Sequence, residues 1–163
     1  MIKNQNSTVI KGNTDLIKPH VIVRLHREDY PYLPDVEHIP GGDFVDLRSA
    51  KEVELKKGEF AYIDTGVSIE LPKGYWGQLV PRSSLYAKYG LIQTNSFGVI
   101  DESYCGDDDR WKLPVIALKD TVIPKNERIC QFRIVKKQDF DIFNTETPLV
   151  GPNRGGFGST GGK

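Results

Sequence analysis

The segment GVSIEL, residues 66–71, alternates the apolar side chains Val67, Ile69 and Leu71 with polar ones. A period of two residues is typical of a β-strand that buries one face and exposes the other to solvent. Three more segments have the alternation or the β-branched residues of strands: VIVRL (21–25), LPVIAL (113–118) and RICQFRIV (128–135). Because proline cannot donate a hydrogen bond to a neighbouring strand, Pro114 predicts a sheet edge or a bulge.

Short turns separate the predicted strands. They are KKG (56–58), PKG (72–74) and PKN (124–126), each ending in a residue that tolerates a tight backbone turn. One short helix is predicted at SSLYAKYG (83–90), with a serine at its N-cap and Gly90 at its end. Strands joined by turns, with one short helix and no repeat, predict an all-β sandwich or barrel.

The composition describes an ordinary globular domain. The chain has 163 residues, 38% of them hydrophobic and 27% charged, with a net charge of zero. A neutral chain has no global attraction to nucleic acid or to a membrane surface. Residues 1–18 contain no apolar core segment and no apolar run of 18 residues occurs, so we expect neither a secretory signal nor a membrane span. Cys105 and Cys130 lack the spacing of a zinc site, and two thiols fit a reducing cytoplasm. We therefore expect a cytoplasmic protein that binds neither nucleic acid nor membrane.

The glycine-rich C-terminus differs from the rest of the chain. Residues 154–163, RGGFGSTGGK, contain five glycines and a single large aromatic residue, Phe157. Such a composition buries too little apolar surface to fold alone. We expect one folded domain over residues 1–147 and a flexible C-terminal arm over residues 148–163.

Arg82, Ser83 and Ser84 open the segment PRSSLYAKYG (81–90). A guanidinium, two hydroxyls and the free N–H groups of a helix start form an arrangement that suits a phosphate. The alternative is a helix cap beside a solvated arginine.

Asp101 ends the apolar run Gly98–Ile100 within NSFGVIDESYCG (95–106). A carboxylate at the end of a buried strand can be held close to one water molecule, which makes Asp101 a candidate general base. Strand alternation points Glu102 to the other face. A turn residue without a catalytic role is the alternative for Asp101.

The acidic run DDDR (107–110) lacks the spacing of a calcium loop, so we expect a solvated loop there.

Five segments in this order resemble the motifs of the trimeric dUTPase family. They are DLRSA (46–50), PRSSL (81–85), GVIDESY (98–104), ERICQ (127–131) and RGGFGSTG (154–161). The resemblance implies a jelly-roll-like β-barrel of the β-clip type and a homotrimer whose active sites are shared between subunits. It also implies hydrolysis of dUTP to dUMP and pyrophosphate with Mg²⁺, which supplies dUMP for dTMP synthesis and keeps uracil out of DNA.

The resemblance also implies roles for individual residues. Asp101 would be the general base, and Asp46 would hold Mg²⁺ through water while the triphosphate supplies most of its ligands. Phosphates would be bound by Arg82, Ser83, Ser84 and Gln131. Uracil would be recognised by the Asn95 side chain and the backbone of Gly98, Val99 and Ile100, and Tyr104 would stack on deoxyribose and exclude a 2′-OH.

The C-terminal arm corresponds to the closing lid of the family. Phe157 would stack on uracil, Gly158, Ser159 and Thr160 would cover the phosphates, and Arg154 would contact the γ-phosphate. The sequence departs from the usual motifs at Phe44, Ser84, Ser103 and Cys105, and residues 107–111 are an insertion.

Three other functions are compatible with parts of the pattern. A dCTP deaminase of the same fold shares the RSSL segment but needs a glutamate on the strand that here is KLPVIAL (112–118). Some phage dUTPases also bind repressor proteins, which would involve a variable region such as residues 103–114. A jelly-roll binding module without catalysis is the third.

Overall fold

The computed structural model describes residues 18–153 and residue 155. This part of the chain contains ten strands and one helix: β1 Ile22–Leu25, β2 Val45–Arg48, β3 Val53–Leu55, β4 Phe60–Glu70, β5 Tyr75–Pro81, α1 Leu85–Tyr89, β6 Leu91–Gln93, β7 Gly98–Asp101, β8 Arg110–Ala117, β9 Thr121–Ile123 and β10 Arg128–Lys136. The prediction of an all-β fold with one short helix is confirmed.

Two four-stranded sheets contain most of the strands, in the orders β1-β4-β8-β6 and β2-β10-β5-β7, and β3 pairs with β9. Every pairing is antiparallel. The ladders of the described residues do not join into a closed ring, so the predicted barrel is an open one. β7 lies at the end of its sheet, and this position decides the geometry of the site.

The core lies between the two large sheets. Trp111 of β8 is 1% exposed, and its ring packs edge-on against Phe132 of β10 at a centroid distance of 5.1 Å. Leu79, Leu113 and Ile69 are also fully buried. Burying aliphatic and aromatic side chains from both sheets supplies the main stabilising free energy of the fold.

β4 contains the segment that predicts the fold, and its apolar side chains Val67 and Ile69 are buried as expected. Ser68 is buried too, although the alternation predicts exposure. Its hydroxyl donates to the Asp107 backbone oxygen at 2.8 Å and lies 2.9 Å from His26 Nε2. A buried serine is tolerated because both polar contacts are made inside the protein.

The pairing of β10 with β2 shifts between Arg128 and Cys130. An irregularity of this kind inserts a residue on one strand and interrupts the alternation of its side chains. Ile129 and Cys130 are consequently both buried, whereas Gln131 returns to the outward face. Period-two patterns alone do not place such a shift.

Pro114 does not lie in an edge strand, because β8 pairs with β4 on one side and β6 on the other. The Pro114 carbonyl accepts a hydrogen bond from Thr94 N–H at 3.2 Å. In an antiparallel strand the N and C=O of one residue face the same neighbour. The proline nitrogen therefore faces Thr94, just beyond the end of β6 at Gln93, so the missing N–H falls where this ladder ends.

The helix ends as predicted but begins differently. Gly90 has φ 64° and its N–H donates to the Tyr86 carbonyl, which is the expected left-handed C-cap. Ser84 occupies the N-cap position, but its side chain makes no capping hydrogen bond. The Ser84 φ of −84° and ψ of −7° are already helical, which explains the difference because a capping side chain normally needs an extended backbone.

The segment after β10 is exposed and contains no strand over residues 138–153. It nevertheless carries large apolar side chains: Phe140, Ile142, Phe143, Leu149 and Val150 are between 63% and 104% exposed. Within the described residues, no helix is long and apolar enough to cross a membrane.

Candidate active site

A pocket of about 470 Å³ lies beside β7. Six of the residues predicted from the sequence line it: Asn95, Gly98, Val99, Ile100, Asp101 and Tyr104. The pocket therefore gathers the predicted base-binding residues, the sugar-stacking tyrosine and the candidate general base in one place.

β7 presents its backbone to this pocket. It pairs with β5 on one side, from Gly98 opposite Leu79 to Asp101 opposite Trp76, and it is the last strand of its sheet. The second edge of such a strand offers a row of N–H and C=O groups that no strand of the described chain uses. Gly98 is buried, and a Cβ there would lie 3.1 Å from the Leu79 side chain. A larger residue at this position would therefore crowd Leu79, which also lines the pocket.

The turn before β7 positions Asn95. Phe97 N–H donates to the Asn95 carbonyl at 2.6 Å, and Ser96 has φ 59°, a left-handed conformation uncommon outside glycine. The Asn95 side-chain oxygen accepts a hydrogen bond from Gln93 Nε2 at 2.8 Å. The Asn95 amide is therefore fixed by its own turn and by a neighbouring side chain.

Asp101 and Glu102 have opposite surroundings, as strand alternation predicts. The Asp101 side chain is exposed at the pocket and hydrogen-bonds no group of the described chain. Glu102 accepts from Gly74 N–H and lies 3.1 Å from Lys137 Nζ; these contacts, the Gly74 bond foremost, lower the pKa of the Glu102 carboxyl. Glu102 therefore stabilises the turn that precedes β5, whereas the Asp101 carboxylate is available to contact a water molecule.

Tyr104 is 42% exposed at the pocket, and its hydroxyl donates to the Arg110 carbonyl at 3.4 Å. Burial, and to a smaller extent Asp109, raises the pKa of the Tyr104 phenol. A neutral aromatic ring in this position can pack against an apolar sugar face.

A second, polar pocket of about 270 Å³ lies at the start of the helix. Its lining residues are Arg48, Arg82, Ser84, Lys88, Glu127 and Arg128. Four cationic side chains around one cavity suit a polyanion. The predicted phosphate residues Arg82 and Ser84 line this pocket; Ser83 is exposed beside them, and Gln131 is half-buried on β10.

Asp46 lies beside this polar pocket and pairs with two guanidinium groups. Its Oδ2 accepts a hydrogen bond from Arg82 and lies 3.3 Å from Arg128 Nη1. Gln131 is the residue opposite Asp46 in the β2–β10 ladder. No group of three or more His, Cys, Asp or Glu side chains in the described chain could hold a metal ion. A single carboxylate of this kind fits a hydrated Mg²⁺ that receives its other ligands from a bound polyphosphate.

Asp101 and Arg82 lie beside opposite ends of β5. Asp101 pairs with Trp76 near the beginning of the strand, and Arg82 follows Pro81 at its end. At about 3.3 Å per residue these positions are roughly 20 Å apart along the strand. Asp101 and Arg82 of one chain therefore cannot contact the same phosphate.

The dUTPase family model matches residues 44–161. The chain belongs to the dUTPase family. It is 54% identical over 123 residues to the SPbeta prophage-derived deoxyuridine 5'-triphosphate nucleotidohydrolase of Bacillus subtilis, covering 75% of this chain and 86% of the relative. It is 37% identical over 145 residues to the Streptomyces avermitilis deoxyuridine 5'-triphosphate nucleotidohydrolase, covering 88% and 81%.

Among solved structures, the chain is similar to the dUTPase from Streptococcus mutans. The TM-score is 0.64 at 26% identity, covering 73% of this chain and 98% of that one. The resemblance to the dUTPase family and to its fold is thus confirmed.

Several residues that line the larger pocket were not predicted from the dUTPase motifs. They are Tyr62, Leu79, Ser103, Arg110, Trp111, Lys112 and Pro114. Tyr62 is 65% exposed on β4, and the register of β4 with β8 places it opposite Pro114. Sequence reasoning misses such residues because only the pairing of distant strands brings them to the site.

The predicted dUTPase lid residues Arg154, Phe157, Gly158, Ser159 and Thr160 lie outside the described residues. Their roles stay predictions.

Proposed function

We propose that this dUTPase-family chain is a dUTP diphosphatase that cleaves dUTP to dUMP and pyrophosphate. The observation that supports this most directly is the pocket that places Asn95, the β7 backbone, Tyr104 and Asp101 side by side. Such an activity supplies dUMP for dTMP synthesis and keeps uracil out of DNA.

Asp101 is the general base of the proposed reaction. Its carboxylate accepts a proton from the water that attacks the α-phosphorus, and the pyrophosphate leaves. The exposed position of Asp101 at the pocket, without a hydrogen-bond partner in the described chain, keeps the carboxylate available for that water. A positioned base accounts for about 10²–10⁴-fold in rate, and charge stabilisation and alignment account for the rest.

The pocket recognises both uracil and deoxyribose in this proposal. The uracil edge pairs with the Asn95 amide and the free backbone groups of Gly98–Ile100. Tyr104 packs against the sugar and leaves no room for a 2′-OH. A base or sugar with the wrong group would leave a buried donor or acceptor unpaired, which costs about 1–3 kcal/mol.

The phosphates are bound by Arg82, Ser83, Ser84 and Gln131 of another subunit. The separation of roughly 20 Å along β5 supports this arrangement, because the base and the cationic pocket of one chain are too far apart to act together. One active site then needs at least two copies of the chain.

The assembly we propose is a homotrimer, as in the family. The exposed apolar side chains of residues 138–153 support an oligomer, since exposed apolar surface of this extent marks interaction sites. The arm over residues 148–163 then closes a neighbouring site as a lid, with Phe157 stacking on uracil and Ser159 and Thr160 over the phosphates. Stacking of one aromatic ring on a base contributes about 1–3 kcal/mol.

Mg²⁺ is the proposed cofactor, held mainly by the substrate triphosphate and through water by Asp46. When bound, it neutralises negative charge on the phosphate oxygens. The Asp46 carboxylate is already next to Arg82, so carboxylate and guanidinium can face the same phosphates. This arrangement needs no metal cage made by protein side chains alone.

The alternatives receive less support. β8 spans Arg110–Ala117 and carries no glutamate, whereas a dCTP deaminase needs one on this strand. Repressor binding stays a prediction; residues 103–109 form an exposed loop between β7 and β8, but residues 110–114 belong to β8.

The test is pyrophosphate release with Mg²⁺ from dUTP, dCTP, UTP and dTTP, measured side by side. Release from dUTP alone is expected. Ammonia release from dCTP would instead indicate a deaminase. No reaction with any of the four nucleotides would favour a binding protein without catalytic activity.

A further inference from the structure

Gln93 is a buried polar residue behind the base pocket. It ends β6, is 7% exposed and does not line the pocket itself. Its Nε2 lies 3.3 Å from the Leu79 backbone oxygen and 2.8 Å from Asn95 Oδ1. The side chain therefore connects the core strand β5 to the residue proposed to recognise uracil.

The Leu79 carbonyl fixes the orientation of both amides. A backbone carbonyl only accepts hydrogen bonds, so the Gln93 atom beside it must be the NH₂ group and not the oxygen. The same NH₂ group donates to Asn95, so the Asn95 atom that faces it must be the oxygen. The Asn95 NH₂ group is then left as the polar group available to the pocket, and it can only donate.

We propose that Gln93 is a positioning residue that sets base specificity by holding the Asn95 amide with its NH₂ group toward the ligand. A donor in this place pairs with a ring carbonyl and opposes an amino group. Uracil has a carbonyl where cytosine has an amino group, so the arrangement selects uracil. The inference rests on the proposed dUTP diphosphatase activity.

A second observation supports a role beyond stability. Gln93 Oε1 is buried and has no hydrogen-bond partner in the described chain. Turning the amide to change its contacts would place that oxygen against the Leu79 carbonyl, which is a contact between two acceptors. An unpaired buried oxygen is unfavourable. A leucine of similar volume would remove this unpaired oxygen but would also deprive the Leu79 carbonyl and Asn95 Oδ1 of their Gln93 donor, which ties the glutamine to the placement of Asn95.

The experiment compares Gln93→Leu with the wild-type protein. The measured quantities are kcat and KM for dUTP, the inhibition constant of dCTP as a competitor, and the melting temperature. We expect KM for dUTP to rise and the ratio of the dCTP inhibition constant to KM to fall by about tenfold, the effect of one misplaced hydrogen bond. We expect kcat to change by less than about threefold, and the melting temperature shows that the variant is folded at the assay temperature.

Gln78→Leu is the matched control, because Gln78 also makes a side-chain hydrogen bond, to Arg133 Nε at 3.0 Å, but does not line the pocket. Gln78→Leu should leave the ratio of the dCTP inhibition constant to KM for dUTP unchanged. If Gln93→Leu does not fold, Gln93→Met tests the same loss of a donor. An unchanged ratio in an active, folded Gln93 variant would overturn the inference and leave the proposed function intact. A wild-type protein that does not hydrolyse dUTP would instead refute the proposed function.

Discussion

At the scale of single residues, the proposed site contains two neighbouring carboxylates with different surroundings. Asp101 and Glu102 are adjacent in sequence, yet Glu102 is held by Gly74 and Lys137 while Asp101 is exposed at the pocket. The end of β7 therefore separates a candidate base from a structural anchor. The two residues can be compared directly by removing one charge at a time.

Asp101→Asn should bind dUTP almost as well as the wild-type protein and lose turnover by about 10²–10⁴-fold, because asparagine cannot accept a proton from water. The measurement is kcat by pyrophosphate release, with dUTP affinity measured by calorimetry. Glu102→Gln is the matched control, because it makes the same change in a residue outside the pocket, and it should retain kcat. Normal turnover by Asp101→Asn would show that another group is the base.

At the scale of elements, the close contact between β5 and β8 holds the core beside the site. A Cβ added at Gly77 would lie 2.6 Å from Trp111 Cη2, and Trp111 is buried against Phe132. Because β5 also pairs with β7, the contact that fixes β5 against the core fixes the strand that carries Asp101.

Gly77→Ala should therefore lower the free energy of unfolding by about 1–3 kcal/mol through overpacking. Chemical denaturation of the variant and the wild-type protein measures the difference. Gly42→Ala provides the control, since a Cβ there would meet only backbone oxygens at 3.5 and 3.8 Å. Equal losses in both variants would mean that the Trp111 contact is not the cause.

The end of β1 is joined to the loop after β7 by polar contacts. Glu28 lies 2.8 Å from Arg24 and 3.1 Å from His26, and His26 contacts Ser68, which donates to the Asp107 carbonyl. A hydrogen bond from its own backbone N–H, with those from Arg24 and His26, lowers the pKa of the Glu28 carboxyl to about 2.

A glutamate in the unfolded chain has a pKa of about 4.3. Because the Glu28 pKa is lower in the folded protein, the ionised carboxylate stabilises the fold at pH values above about 4.3, and this contribution is lost as the pH falls toward 2. Glu28→Gln should consequently lose stability less steeply than the wild-type protein between about pH 4.5 and 2. Denaturation at several pH values measures the slope. Parallel slopes for the two proteins would contradict the low Glu28 pKa.

At the scale of the whole molecule, the positions of Asp101 and Arg82 support the proposal that one active site is built from more than one chain. Asp101 and Arg82 are separated by nearly the length of β5, and the apolar residues after β10 are exposed on the single chain. Both observations are explained by subunits that share their sites.

Deleting residues 154–163 should abolish dUTP hydrolysis, because the proposed lid is lost, and should leave the proposed trimer intact, because the deleted residues follow the predicted folded domain. Sedimentation gives the mass of both forms, and pyrophosphate release gives their activity. A full-length protein that sediments as a monomer would contradict shared sites, and an active truncated protein would show that the lid is not needed.

The sequence by itself determined the strand and turn pattern, the helix C-cap at Gly90 and the cluster around Asp101, because periodicity, turn chemistry and motif order are local properties. It predicted a sheet edge or a bulge at Pro114, which lies in a regularly paired inner strand, predicted a serine cap that is not made, and gave no sign that Ser68 would be buried. Only the three-dimensional structure decided these points: the surroundings of Pro114 and Ser68 depend on partners distant in the chain, and the missing cap follows from the helical backbone angles of Ser84. Tyr62 reaches the pocket through the pairing of β4 with β8, and the Gln93–Leu79 contact behind the pocket forms because the two large sheets pack against each other. Neither is visible in a local sequence pattern.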